Sequence, residues 1–139
     1  MSLVQGGMDH MKKKNGQAAV EIALMMPILV LLLCGITDFG RILFAANNIN
    51  MVSQEAARYA SFNHLNSDVT ALAVDNCSLS NKTKKLHIRI QPDDSEAPRK
   101  SGTNVTVIIS YDVDYITPLM QSIIGKPFTV STSSTIRVE

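Results

Sequence analysis

The sequence predicts an α+β membrane protein, in which one long N-terminal helix crosses the bilayer and continues onto a small antiparallel sheet. Three patterns along the 139 residues support this prediction. An unbroken apolar run covers Ile22–Ile36, a helical stripe of apolar residues follows it, and alternation with period two begins at Leu86. These patterns are typical of a membrane span, an amphipathic helix and half-buried strands, in that order.

The apolar run has almost the length that a membrane requires. Adding Ala18–Val20 gives nineteen positions interrupted only by Glu21, whereas roughly 20 residues at about 1.5 Å each cross about 30 Å of hydrocarbon. Three lysines at positions 12–14 precede the run, so the positive-inside rule predicts a cytoplasmic N-terminus. We therefore predict a cytoplasmic leader over residues 1–16, with Met1–Asn15 unstructured, and a transmembrane helix over residues 17–40.

Past the span, small and aliphatic residues recur at alternating intervals of three and four, which predicts an extracytoplasmic amphipathic helix over residues 41–62. We call these residues the stripe. Packing of the stripe on the chain's own domain is the favoured interpretation, and docking on partner helices, through Ile42, Ile49 and Val52 above all, is the alternative. The stripe consists of Ile42, Ala45, Ile49, Val52, Ala56 and Tyr59.

Residues 63–139 are predicted to form a small extracytoplasmic α+β domain. A short helix is expected over Asp68–Val74, and three segments then alternate apolar and polar residues as strands do. Because no long helix separates these segments, we expect antiparallel strands with one face packed on the amphipathic helix. The predicted strands are Leu86–Ile90, Val105–Tyr115 and Phe128–Val138, joined by loops over Gln91–Gly102 and Pro118–Pro127.

Composition and motifs argue against several functions. The 13 basic and 12 acidic side chains nearly balance, which gives no basic surface for nucleic acid. Cys34 and Cys77 form no disulfide framework, and the three histidines are too scattered for a metal site. Asp112 and Asp114 are expected on a solvent face of their strand rather than as a catalytic pair. Without a nucleophile, phosphate or metal motif, we predict no enzyme, no cofactor and no small-molecule substrate.

A glycine and a glutamate frame the entry into the apolar run. Gly16 follows the lysines, Gln17 comes next, and Glu21 is five positions after the glycine, as in type IV pilin-like precursors. A G-x2-D-x-G-R run begins at Gly35 beyond the span. Together these residues make the segment from Gly16 to about Ala60 similar to the TadE-like family, the pseudopilins of tight-adherence (Tad or Flp) pilus systems.

This resemblance implies a minor pilin or pseudopilin of the bacterial inner membrane that is needed to assemble an adhesive pilus. A prepilin peptidase would cut after Gly16 and make Gln17 the mature N-terminus. Glu21 would serve both peptidase recognition and docking to a neighbouring subunit. The implied partners are the peptidase, other pilins or pseudopilins and the proteins of the pilus assembly platform.

The carboxylate of Glu21 calls for an explanation that does not depend on the family. A charged group at the centre of a membrane helix costs about 2.5–3.5 kcal/mol, and less near an interface. Cleavage after Gly16 would free the α-amine of Gln17, which is largely cationic at neutral pH and would give Glu21 an opposite charge. Alternatively, Glu21 extends to the inner headgroup region without a partner.

Two other fates of the N-terminal segment compete with this cleavage. A lipoprotein would be anchored through Cys34, although the bulky Leu33 precedes that cysteine. An unprocessed single-span protein would keep its leader and act as a membrane scaffold with an outer interaction domain.

Overall fold

The computed structural model describes residues 2–62, 65–93 and 99–139, and side chains from residue 15 onward apart from those of residues 119 and 123. The chain divides into two compact units, Met1–Thr37 and Asp38–Glu139, which we call the anchor unit and the outer unit. Helix α1, Ser2–Ser61, provides the described part of the anchor unit and continues into the outer unit. The predicted α+β class is confirmed by this long apolar helix and a three-stranded antiparallel sheet.

Helix α1 begins at Ser2, so the prediction of a leader without regular structure is wrong. Lysine, methionine and glutamine have high helix propensity, and extending an existing helix by one residue costs far less than nucleating a new one. From Asn15 onward the helix is long and apolar enough to cross a membrane, and its most apolar part has no buried side chain in the anchor unit. A helix that is apolar on every side and covered by no protein supports a single-pass membrane protein.

The sheet of the outer unit has the strand order β1-β2-β3, with both pairs antiparallel. Leu86 lies opposite Tyr111, and Val113 lies opposite Phe128. The start of β1, the end of β2 and the start of β3 therefore meet at one end of the sheet, which we call the Phe128 end; the opposite end is the Arg137 end. The strands are β1, Leu86–Gln91; β2, Asn104–Val113; and β3, Phe128–Arg137.

The core of the outer unit lies between this sheet and the second half of α1. Side chains of β2 alternate between buried and half-buried positions over Val105–Val113, as period-two patterning predicts. The buried set packs with the stripe of α1, and burying each large aliphatic side chain contributes about 1.5–3 kcal/mol. The largest fully buried residues are Ile49, Ile109, Val69, Val105, Val107, Cys77 and Ser53.

Hydrogen bonds fasten α1 to both ends of the sheet. At the Phe128 end, the Asp38 carboxylate accepts a bond from the backbone N–H of Ile116, just beyond β2. At the Arg137 end, the backbone N–H of Glu139 donates to the Ser61 carbonyl across 3.2 Å. The buried Arg99 reinforces that end, because its guanidinium donates to the carbonyl of Ala60. Within the outer unit, α1 thus runs along the sheet from one end to the other.

Three short helices complete the outer unit: α2, Asn66–Asn76; α3, Lys82–Lys85; and α4, Pro118–Ile124. Helix α2 confirms the helix predicted at Asp68–Val74. Helix α4 lies where the sequence analysis predicted only a loop, although proline at its start and Gly125 in the left-handed conformation (φ 69°) are ordinary helix boundaries. Of the predicted loop Gln91–Gly102, residues 94–98 lie outside the described residues.

Val107 and Ser133 provide a matched test of the two sheet faces. Val107→Asp would bury an unpaired carboxylate in the core, so we expect loss of the outer unit's cooperative unfolding transition, a cost of several kcal/mol. Ser133→Asp places the same group on the exposed outward face of β3 and should change stability by about 0.5 kcal/mol or less. Thermal unfolding followed by circular dichroism on the detergent-solubilised chain measures both. Equal stability of the two variants would contradict the assigned strand faces.

Candidate functional site

The residues predicted to be processed lie on α1 within the anchor unit. Gly16, Gln17 and Glu21 are exposed. A Cβ built on Gly16 would meet no atom within 4 Å, and its backbone is helical. Because glycine costs about 1 kcal/mol relative to alanine inside a helix, neither packing nor backbone conformation explains why glycine is at this position.

Glu21 sits among apolar side chains of its own helix. Its neighbours line a shallow groove of about 520 Å³ along the helix surface, formed by Glu21, Ile22, Met25, Met26, Ile28, Leu29 and Leu32. These residues form one face of the helix, and its apolar side chains are exposed in the anchor unit. The carboxylate therefore lies at one end of an exposed apolar face.

Asp38 forms a buried polar contact just after the apolar run. Its carboxylate is 4% exposed and accepts hydrogen bonds from the backbone N–H of Ile116, at 3.1 Å, and from the hydroxyl of Thr117. Thr117 is also buried. A carboxylate that accepts two such bonds is stabilised in its charged form despite its burial. Asp38 thereby holds the segment that follows β2 against the first turn of α1 in the outer unit.

Arg41 adds a second contact between the same two segments. Its guanidinium donates to the backbone carbonyl of Asp114 across 2.9 Å, while the side chain of Asp114 pairs with Lys85 at the end of α3. We call Asp38, Arg41 and their partners in residues 114–117 the helix–loop clasp. The clasp joins α1, α3 and the loop after β2 at the Phe128 end of the sheet.

The predicted docking residues of the stripe are not on the surface. Ile49 and Val52 are buried in the core, and Ile42 is half-buried against it. The favoured interpretation, packing on the chain's own domain, matches this placement. A partner helix would reach Ile49 or Val52 only if the outer unit opened, so the surface through which α1 would meet a partner lies on its other faces.

A groove of about 870 Å³ separates α1 from the free edge of β3. Exposed Met51 and Phe62 contribute apolar surface, and Glu55, Arg58 and Arg137 contribute charges of both signs. These groups form no nucleophile–base arrangement, and the groove is widely open to solvent.

Neither cysteine is paired, and Cys77 is buried in the core, where a disulfide with another subunit would require the outer unit to open. In the part of the chain that the structure describes, no group of three or more His, Cys, Asp or Glu side chains could hold a metal ion. Asp112 accepts a hydrogen bond from Thr129, and Asp114 is exposed and paired with Lys85.

The role of Asp38 escaped the sequence analysis, although a signal was present. Asp38 precedes Ile42 by four residues and so extends the alternating spacing of the stripe. A carboxylate on the buried side of a helix requires hydrogen-bond partners. Its partners could not be read from sequence, because Ile116 and Thr117 are 78 and 79 residues away along the chain.

Residues 16–58 match the family described as TadE-like protein. The resemblance predicted from the sequence is thereby confirmed over this segment, which we call the TadE-like segment. No curated protein and no solved structure matched the chain.

The TadE-like segment lies entirely on α1, from Gly16 to Arg58. It contains Glu21 and most of the stripe. It also contains Asp38 and Arg41, which are the two α1 residues of the clasp. It ends before α2 and the sheet. The segment therefore carries the apolar run together with the helix surface on which the outer unit is built.

Asp38→Asn tests the helix–loop clasp. The amide has the same shape, but it carries no charge and its NH2 group is a donor that can accept neither bond, so one of the two bonds is lost and we expect a destabilisation of about 1–3 kcal/mol. Limited proteolysis of the detergent-solubilised chain, mapped by mass spectrometry, should show faster cleavage within residues 114–127. Asp75→Asn removes an exposed carboxylate from the same unit and serves as the control. Equal cleavage rates in the two variants would show that the clasp does not hold the loop.

Proposed function

We propose that the chain is a membrane-anchored minor pilin or pseudopilin that takes part in assembling a bacterial tight-adherence pilus. The observation that carries this proposal is the TadE-like match over residues 16–58, which begins at Gly16 and includes a single carboxylate, Glu21, at the entry to an apolar run. Its work is assembly rather than catalysis. The proposed partners are a prepilin peptidase, other pilins or pseudopilins, and the assembly platform in the inner membrane.

The orientation follows from the charges beside the span. Lysines 12–14 precede the apolar run, which favours a cytoplasmic N-terminus and an outer unit on the opposite side of the inner membrane. A peptidase acting after Gly16 would then cut at the cytoplasmic face. The exposed position of Gly16 and the open space around it support access to the bond that follows it.

Processing would change the electrostatics of the helix entrance. Cutting after Gly16 removes the lysines and creates a cationic amine on Gln17, one helical turn before Glu21. In the low dielectric of the membrane, Glu21 gains by pairing with such an amine on its own helix or on a neighbouring subunit. Pairing between subunits would place adjacent helices in a fixed register.

Gly16→Leu tests the processing step. The structure leaves room for the larger side chain, so the helix should form as before while the peptidase site is blocked. We expect the cellular protein to retain residues 1–16, as measured by peptide mass spectrometry. Gly35→Leu, where a Cβ likewise meets nothing within 4 Å, is the control and should be cut normally. Wild-type protein that keeps its leader in the functional pool would refute cleavage after Gly16.

Glu21→Ala tests the assembly step. We expect a strain carrying this variant to lose most surface pili, counted by electron microscopy, although the protein still accumulates in the membrane. Glu55→Ala removes the exposed carboxylate on the outer part of the same helix and should leave pilus number unchanged. Normal pilus number with Glu21→Ala would favour an unprocessed scaffold over the proposed pilin-like subunit.

A further inference from the structure

Exposed apolar side chains gather at one end of the outer unit. Ile116, Ile124 and Phe128 lie in the loop after β2, at the end of α4 and at the start of β3, with exposed fractions of 63%, 49% and 45%. Phe39 and Phe44 add further exposed rings on the first turns of α1 in this unit. All five belong to segments that meet at the Phe128 end of the sheet. Large exposed apolar groups in one region usually mark a binding surface.

The helix–loop clasp shows which environment this end meets. Asp38, which binds the N–H of Ile116, is two residues beyond Ile36, the last residue of the apolar run. The loop carrying Ile116 is therefore attached to α1 beside the end of the apolar run, where we expect the span to leave the hydrocarbon. The Arg137 end is attached to Ser61, which lies about 35 Å farther along the helix from Asp38 at about 1.5 Å per residue.

The charges beside this apolar surface suit a phospholipid membrane. Lys84 and Lys126 are exposed and lie next to the Phe128 end, in α3 and in the turn before β3. The neighbouring carboxylates are already engaged: Asp38 by the loop, Asp114 by Lys85, and Asp112 by Thr129, with His87 at 3.8 Å. Among the described residues at this end, Lys84 and Lys126 are thus placed to meet lipid phosphates, each contributing about 1 kcal/mol near an anionic surface.

We propose that residues 116–128 form a second membrane contact, on the leaflet that faces the outer unit. Ile116, Ile124 and Phe128 enter the boundary between headgroups and acyl chains, and Lys84 and Lys126 contact the phosphates. Amphipathic segments elsewhere bury their apolar side chains about 5–10 Å deep in this boundary. The inference rests on the membrane span and on none of the proposed pilus partners.

The experiment exploits the absence of tryptophan from the chain. Ile116→Trp introduces a single tryptophan, which can be excited selectively over the three tyrosines and whose backbone N–H can still bind Asp38. The full chain is reconstituted in vesicles of phosphatidylethanolamine and phosphatidylglycerol, with or without bromine on the acyl chains. We expect blue-shifted emission and strong quenching by the brominated lipid.

Phe62→Trp is the matched control, because Phe62 is also an exposed apolar residue, 59% accessible, but follows the last residue of α1 near the Arg137 end. It should emit at longer wavelength, be quenched by aqueous iodide and be little affected by brominated lipid. Quenching of Ile116→Trp no greater than that of Phe62→Trp would overturn the proposal, and the surface would then be assigned to a protein partner.

Leu29→Trp, within the apolar run, separates failure of this contact from failure of the anchor. Quenching at Leu29 without quenching at Ile116 would leave the span intact and refute the second contact alone. Absence of quenching at both positions would refute the span and the contact together. Neither result depends on pilus assembly, since no other pilus component is present.

The lysines are tested in the same vesicles. Replacing Lys84 and Lys126 together by alanine should reduce the quenching of Ile116→Trp in vesicles that contain phosphatidylglycerol and leave it unchanged in phosphatidylcholine. Equal quenching with and without the lysines in the anionic vesicles would overturn their role at the headgroups.

Discussion

Helix α1 has two apolar surfaces of different kinds, and each has to be covered by something else. The rest of the structure depends on this constraint. Over Ile22–Ile36 the surface of α1 is apolar on every side, and among the described residues the most apolar part of the helix has no buried side chain. After Asp38 the stripe is the apolar side that packs against the sheet, whereas Phe39, Phe44 and Met51 on other sides of the helix stay exposed. The helix therefore requires lipid or other helices along its first part and a folded domain along its second. The sheet of the outer unit provides that folded domain.

The change between these environments occurs at the helix–loop clasp. Asp38 is the first buried residue of the outer unit along α1, and its carboxylate gains two hydrogen bonds there instead of water. Arg41 fixes the adjacent carbonyl of Asp114. The structure thus explains why the G-x2-D-x-G-R run has an acidic residue at Asp38 and a basic residue at Arg41, because both side chains attach the loop after β2 to the helix. The run belongs to the TadE-like segment, so the matched sequence includes the attachment point of a domain that it does not itself cover.

The proposed function divides α1 into regions with separate tasks. Glu21 lies at the entrance of the apolar run, where a new cationic N-terminus would complete its charge pair and align neighbouring subunits. The stripe packs within the outer unit, so helix–helix assembly would use the anchor unit and the exposed faces of α1. A second membrane contact at the Phe128 end would hold the outer unit close to the lipid surface while the subunit waits in the membrane. Extraction into a fibre would then require breaking that contact as well as removing the span.

The sequence alone determined the span, the stripe, the three strands and the likeness to TadE-like proteins, because each leaves a local or periodic pattern. Continuous apolarity over Ile22–Ile36 and alternation over Val105–Val113 report the surroundings of each segment directly. Only the tertiary structure decided that Ile49 and Val52 pack internally, that Asp38 binds the segment at Ile116, and that exposed apolar groups gather at the Phe128 end. These features join residues that are far apart along the chain. In addition, an apolar stripe that packs on its own sheet has the same sequence period as a stripe that packs on a partner protein. The physical reason is that periodicity shows which side of a helix is buried, whereas only folding supplies what buries it.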